Sequence, residues 1–177
     1  MSDSTRKDST IGTVPDLLAH ALAMETEAAE RYGELADQME THRKSAVAGI
    51  FRRLEKAEQK HLDELTRMCA GMTLPHYAPW DFKWSSNESP EAVDIGQVSY
   101  HLTVQGAVLL ALKHERQALD FYAGVAERTH DAEVRRLASE FADEEREHVG
   151  WLEGWLADCS PADMLTLDDP DPPLGQE

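Results

Sequence analysis

The sequence predicts an all-α protein: an antiparallel four-helix bundle with one long crossover between its second and third helices. Three observations carry this. Four long stretches place apolar side chains every three or four residues, two of the connections are short and one is long, and the second half of the chain repeats the pattern of the first.

Helix α1 is expected over about Val14 to Met39, where Thr13 can cap, Pro15 suits a first turn and Asp16 completes a capping-box-like start. Its apolar stripe is Leu18, Ala21, Leu22, Ala28, Tyr32 and Leu35. Helix α2 is expected over about Lys44 to Met68, with Val47, Ile50, Phe51, Leu54, Leu62 and Leu65 on one side and Gly71 as its stop. Helix α3 spans about Thr103 to Arg128. Asp131 can cap α4, which continues to about Ala157. The connections near Glu40 to Arg43 and Thr129 to Asp131 are short enough to make α1/α2 and α3/α4 antiparallel hairpins. The segment from about 71 to 100 carries Pro75, Pro79 and Pro90 and no sustained period. A loop of that size makes sense if it runs the length of the bundle, about 40 Å for a helix of about 27 residues. The expected organisation is an N-terminal tail over 1–12, the bundle over 13–158, and an acidic, proline-rich tail over 159–177 that ends DDPDPPLGQE.

At 177 residues and 41% hydrophobic, the chain fits one domain with a sizeable core. The formal charge of -17 argues against nucleic-acid or anionic-membrane partners, since phosphate binding requires basic clusters. No signal-peptide h-region or transmembrane run is present, so a cytoplasmic protein is expected. Cys69 and Cys159 form no CxxC, which leaves no thiolate metal site and favours free structural thiols.

The repeat is the most informative feature. ALAMETEAAERYGELA (Ala21 to Ala36) aligns without gaps with ALKHERQALDFYAGVA (Ala111 to Ala126), which pairs Glu25 with Glu115 and Tyr32 with Tyr122. LEKAEQKHLDEL (Leu54 to Leu65) aligns with FADEEREHVGWL (Phe141 to Leu152), which pairs Glu58 with Glu145 and His61 with His148. Glu25 and Glu115 lie on the apolar stripes of their helices. In α2 and α4 the Glu and His are three apart, hence on one face, and Leu54, Leu65, Phe141 and Leu152 turn that face inward. Residues equally distant from a hairpin turn sit side by side, and both Glu pairs centre on the turns placed above. Four carboxylates and two imidazoles therefore converge at mid-bundle, where uncompensated burial is costly and cations would offset it.

Other candidates are weaker. Glu127 and His130 also read ExxH, but they lie at the α3/α4 turn, have no counterpart in the repeat, and are expected at the surface. Asp143, Glu144 and Glu147 are assigned to solvent or to the rim of the site. Trp151 and Trp155, on His148's side of α4, are expected to pack on the core, with a redox relay as the alternative. Tyr32 and Tyr122 are either ordinary core aromatics or hydrogen-bond donors to the glutamates. His20, His76, His101 and His114 lack ligand spacing.

A Glu from each of α1 and α3, with Glu-x-x-His from each of α2 and α4, resembles the di-iron carboxylate pattern of the ferritin-like superfamily. The paired E-x-x-A-x-x-x-Y and E-x-x-H stretches are most similar to the N-terminal domain of rubrerythrin, with bacterioferritin next, over about Val14 to Ala157. The resemblance implies two iron ions per bundle, with manganese or zinc as alternative occupants. In that pattern Glu25 and Glu115 would be terminal ligands, Glu58 and Glu145 bridging ligands, and His61 and His148 one nitrogen ligand per iron. These same six residues would be the catalytic set. Rubrerythrins usually add a rubredoxin domain with a four-cysteine iron and an extra glutamate three residues after the α3 ligand. Here there is no such cysteine set, and that position is Ala118. The resemblance thus implies a separate electron-donor protein and a site closer to the symmetric bacterioferritin one.

The activity implied is oxidation of Fe(II) with reduction of O2 or H2O2, in iron handling or peroxide defence, by a homo-oligomer that is a dimer or larger. One alternative is an iron or manganese oxygenase acting on an organic substrate, with Ala28, Ala29 and Ala118 leaving room beside the metals. Another is iron storage, or a cargo role through the tail patch Leu165-Thr166-Leu167.

Overall fold

The hydroxyl of Thr13 accepts a hydrogen bond from the backbone N–H of Asp16 at 3.3 Å and opens the first helix, with Pro15 in its first turn. The protein is described here by a computed structural model covering residues 10–84, 89–90 and 101–158. Helix α1 spans Val14–Thr41, α2 Ser45–Met68, α3 Val104–Arg128 and α4 Ala132–Asp158, within two residues of the expected limits. Thr103 caps α3 by accepting from the N–H of Gly106 at 3.0 Å, and Asp131 Oδ1 accepts from the N–H groups of Glu133 and Val134, both at 2.9 Å.

The α1/α2 turn closes on Arg43, which takes a left-handed conformation (φ 57°), while the N–H of Lys44 reaches back to the carbonyl of Met39 at 2.8 Å. This pairing ends a helix and reverses the chain within three residues. After α2, Gly71 takes φ 80°, as its role as a stop requires.

Helices α1 and α2 pack closely, as do α3 and α4, giving an all-α four-helix bundle. Two apolar clusters fill its two ends. One joins Leu35, Met39, Val47, Phe51, Val108 and Leu152; the other joins Leu17, Leu18, Leu65, Val125, Val134 and Leu137. The start of α1 and the end of α3 share one cluster, so α2 and α3 run parallel and the chain between them must travel from one end to the other.

The described part of that crossover contains a 3-10 turn at Pro79–Asp81. It is held by Asp16, from the start of α1, and by His20, which the sequence reading set aside as a non-ligand. Asp16, 7% exposed, accepts from Tyr77 Oη at 2.6 Å and Lys83 Nζ at 2.7 Å. His20 is fully buried, with Nδ1 2.8 Å from the Asp16 carbonyl and Nε2 accepting from the N–H of Lys83 at 2.9 Å. Its ring is surrounded by Tyr77, Phe82, Trp84 and Phe121. Further along, the Pro90 carbonyl lies 3.4 Å from His114 Nδ1, midway down α3. The two buried histidines thus anchor the crossover to the bundle. Residues 1–9 and 159–177, with most of the expected N-terminal tail, the whole expected C-terminal tail, Cys159 and the Leu165–Leu167 patch, lie outside the described residues, as do 85–88 and 91–100 of the crossover; of the expected N-terminal tail, Ile11 is buried in the core. Among the described residues no helix is long and apolar enough to cross a membrane.

Candidate metal centre

Glu25 from α1, Glu58 and His61 from α2, Glu115 from α3, and Glu145 and His148 from α4 meet where the two apolar clusters abut. They form three overlapping groups, Glu25–His61–Glu145, Glu58–His61–His148 and Glu115–Glu145–His148, each with donor atoms within 4.8 Å of one another. Glu25 is 2% exposed, Glu58 and Glu115 0%, Glu145 1% and His61 9%.

Helical spacing explains the donor geometry. Each histidine stands three residues after a glutamate on its own helix, so both rings lean over that carboxylate and present the same nitrogen. His148 Nδ1 lies 3.0 Å from Glu115 Oε2, 3.3 Å from Glu58 Oε1 and 3.6 Å from Glu145 Oε2. His61 Nδ1 lies 3.3 Å from Glu58 Oε2 and 3.8 Å from Glu25 Oε2. The two rings stack with centroids 4.9 Å apart and planes within 5°. The tyrosines cross between the repeats: Tyr32 Oη donates to Glu115 Oε1 at 2.7 Å, and Tyr122 Oη to Glu25 Oε1 at 2.9 Å. Of the two readings left open for them, the hydrogen-bonded one holds.

Burial sets the electrostatics. Desolvation, reinforced by the charges of Glu115, Glu25 and Glu145, pushes the Glu58 carboxyl well above the usual range. Desolvation also raises Glu145, to about 8. For the imidazoles burial works downward but is outweighed. Glu25 and Glu145 carry His61 up to about 9, and Glu115, Glu145 and Glu58 carry His148 up to about 11.

Polar satisfaction tests whether metals fit. Glu25 Oε2, both oxygens of Glu58 and Glu145 Oε2 are buried and accept no hydrogen bond. A buried oxygen left in that state costs about 1–3 kcal/mol, and more when charged. Divalent cations would satisfy these atoms, and four carboxylates neutralise two of them. Hard oxygen donors with one imidazole per half suit iron or manganese. The residues present fit such a pair.

The weaker sequence candidates fall elsewhere. Glu127 and His130 are exposed at the α3/α4 turn. Trp151 and Trp155 are partly buried against the core, with the Arg53 guanidinium 3.9 Å from the Trp151 ring centroid. Asp143 and Glu147 are exposed, whereas Glu144 is half-buried and lines a cavity of about 100 Å³ that reaches Glu25, His61 and Glu145. Glu144 thus stands at the rim, one of the two places the sequence allowed it, although the sequence reading did not set it apart from Asp143 and Glu147. The available signal was its position opposite Ala57 in the repeat, which marks it as a carboxylate the symmetric site does not use.

A four-helix bundle with paired glutamates and Glu-x-x-His motifs gathered in its core defines the ferritin-like class. Within that class the chain belongs to the rubrerythrin family, whose family model, described as Rubrerythrin, matches residues 16–156. It is also similar to the crystal structure of an uncharacterized conserved protein from Magnetospirillum magnetotacticum MS-1. The two are 36% identical with a TM-score of 0.68, over 84% of this chain and 96% of that one. Among functionally curated proteins, nothing matches.

Proposed function

We propose that this chain is a di-iron carboxylate protein that oxidises Fe(II) and reduces O2 or H2O2, in iron handling or peroxide defence. The observation that carries the reading is the set of buried glutamate oxygens without hydrogen-bond donors, facing two inward imidazole nitrogens. Glu25, Glu58, His61, Glu115, Glu145 and His148 would hold the metals. Bound iron supplies a pair of electrons to one oxidant molecule, so that no one-electron-reduced oxygen species need be released.

The protein's own contribution is positional and protonic. Tyr32 and Tyr122 tie down one oxygen of Glu115 and of Glu25; the second oxygen of Glu25 accepts no hydrogen bond, and that of Glu115 lies 3.0 Å from His148 Nδ1, so both face the donor cluster. The protons that Glu58 and Glu145 retain through burial must leave as cations arrive. A separate donor protein would supply electrons, and we assign the chain to the cytoplasm as a homo-oligomer. The cavity beside the site, about 100 Å³, holds roughly three waters. That suits O2, H2O2 or a hydrated cation better than an organic substrate, which favours the oxidase over the oxygenase reading.

The test is direct. Anaerobic protein given two Fe(II) per chain and then exposed to either oxidant develops ferric charge-transfer absorption, and Glu58→Ala or His148→Ala abolishes it. Wild-type protein that binds no iron under these conditions overturns the proposal.

A further inference from the structure

The repeat makes the six donors symmetric, but their surroundings are not. The cavity that reaches the centre is lined by Glu25, His61 and Glu145 and not by their repeat partners Glu115, His148 and Glu58. At its outer rim stand Glu64, Glu140 and Glu144. In the alignment of α2 with α4, the positions equivalent to these three are Trp151, Arg53 and Ala57. On that second side the Arg53 guanidinium lies over the Trp151 ring at 3.9 Å, so a cation and an indole occupy the place that carboxylates occupy on the first.

The rim carboxylates are not equally engaged. Glu140 takes Arg136 on both oxygens, at 2.6 and 2.8 Å, and Glu64 lies 3.8 Å from Lys60 and 3.9 Å from Arg67. Glu144 is half-buried and has neither a hydrogen bond nor a salt bridge among the described residues. Inward of it, Glu25 and Glu145, 2% and 1% exposed, each line the cavity and keep an Oε2 that accepts nothing. A carboxylate at the lip without a hydrogen bond or salt bridge, and behind it two buried carboxylate oxygens that accept no hydrogen bond, form a graded path for a divalent cation.

We propose that divalent cations reach the centre through this cavity, with Glu144 as a transit ligand that hands them to Glu25, His61 and Glu145; the symmetry-related side, where Arg53 lies over Trp151, has Ala57 in the place of Glu144. The inference rests on the di-metal reading of the six donors. It makes the two halves of a symmetric site unequal in supply: one has a carboxylate at its approach, and the other has Ala57 at the equivalent position. Glu144 is a positioning and transfer residue; it is absent from the resting ligand set.

Cobalt(II) alone is the probe, since its visible bands report occupancy without turnover. The full metal-free chain is mixed with Co(II) in a stopped-flow instrument and, once loaded, challenged with a chelator. Glu144→Gln should slow both loading and removal by about 3- to 10-fold and flatten the dependence of loading rate on salt, because one charge is lost from a focusing cleft. The final stoichiometry of two per chain should be unchanged. Glu147→Gln, an equal change of charge on the exposed face of the same helix, should leave the rates as in wild type. Equal rates in wild type and Glu144→Gln, or equal slowing by Glu147→Gln, would overturn the proposed route while leaving the di-metal reading intact. Wild-type protein that takes up no Co(II) would sink both.

Discussion

With both side-chain oxygens buried and accepting no hydrogen bond, Glu58 is where folding stability and metal binding conflict most directly. Replacing it by an apolar residue of similar size removes a carboxyl that desolvation and the charges of Glu115, Glu25 and Glu145 disfavour in the metal-free core. Urea denaturation of chelator-treated protein should therefore find Glu58→Met more stable than wild type by about 1–4 kcal/mol, although it no longer binds metal. The same burial fixes a pH dependence. The Glu145 carboxyl, at about 8 in the folded metal-free protein against 4.5 when unfolded, is a raised group. Its stabilising contribution is complete below the unfolded value and lost as pH rises through the folded one. His61 and His148, also raised, extend the loss above pH 6.5. Metal-free protein should thus melt at progressively lower temperature from about pH 5 to pH 9, and loading it at pH 7 should release protons, measurable by calorimetry in buffers of different ionisation enthalpy. A melting temperature that is flat or rises over this range would contradict the assignment.

At the scale of elements, the hairpin turn and the crossover latch each allow a test away from the centre. Arg43 holds a left-handed conformation that costs an L-residue about 1–2 kcal/mol, so Arg43→Gly should raise stability by up to about 1 kcal/mol after the entropy cost of glycine. The crossover depends on Asp16. Burial pushes its carboxyl upward, but Lys83 and Tyr77 outweigh this and hold it below the usual carboxylate range. A lowered group stabilises above its unfolded value and loses that contribution as pH falls through the folded one. Wild type should therefore lose stability below about pH 4 through this site. Asp16→Asn should be less stable than wild type at neutral pH and should lack this part of the acid dependence, as followed by circular dichroism. His20, ringed by four aromatics and bonded through both nitrogens, fixes the other side of that latch.

For the whole molecule, metal is part of the fold energetics because it binds only the assembled site. A free cation at about 100 times its dissociation constant adds about 2.7 kcal/mol, which for a chain of this size raises the melting temperature by about 5–10 °C. Differential scanning calorimetry with and without Mn(II) checks this, and light scattering on the same samples separates a dimer from a large cage. The helices, the Thr13 and Asp131 caps, the parallel sense of α2 and α3, and the inward set of Glu25, Glu58, His61, Glu115, Glu145 and His148 were all legible in the sequence. Each follows from periodicity, from residue offsets along a helix, or from equal distances to a turn. What lay beyond the sequence was everything that depends on which side chains meet across helices. The crosswise pairing of Tyr32 with Glu115 and of Tyr122 with Glu25 is one example. The burial of His20 and Asp16 under the crossover is another, because a loop without a period carries no register. The decisive case is Glu144: one more acid in an acidic helix by sequence, it became distinct when packing left a cavity beside it and put Arg53 and Trp151 at the equivalent place on the other side. The repeat determined a symmetric set of donors, and only the tertiary structure decided that a cavity lies against Glu25, His61 and Glu145, because a cavity is a property of packed surfaces and has no local signature in the chain.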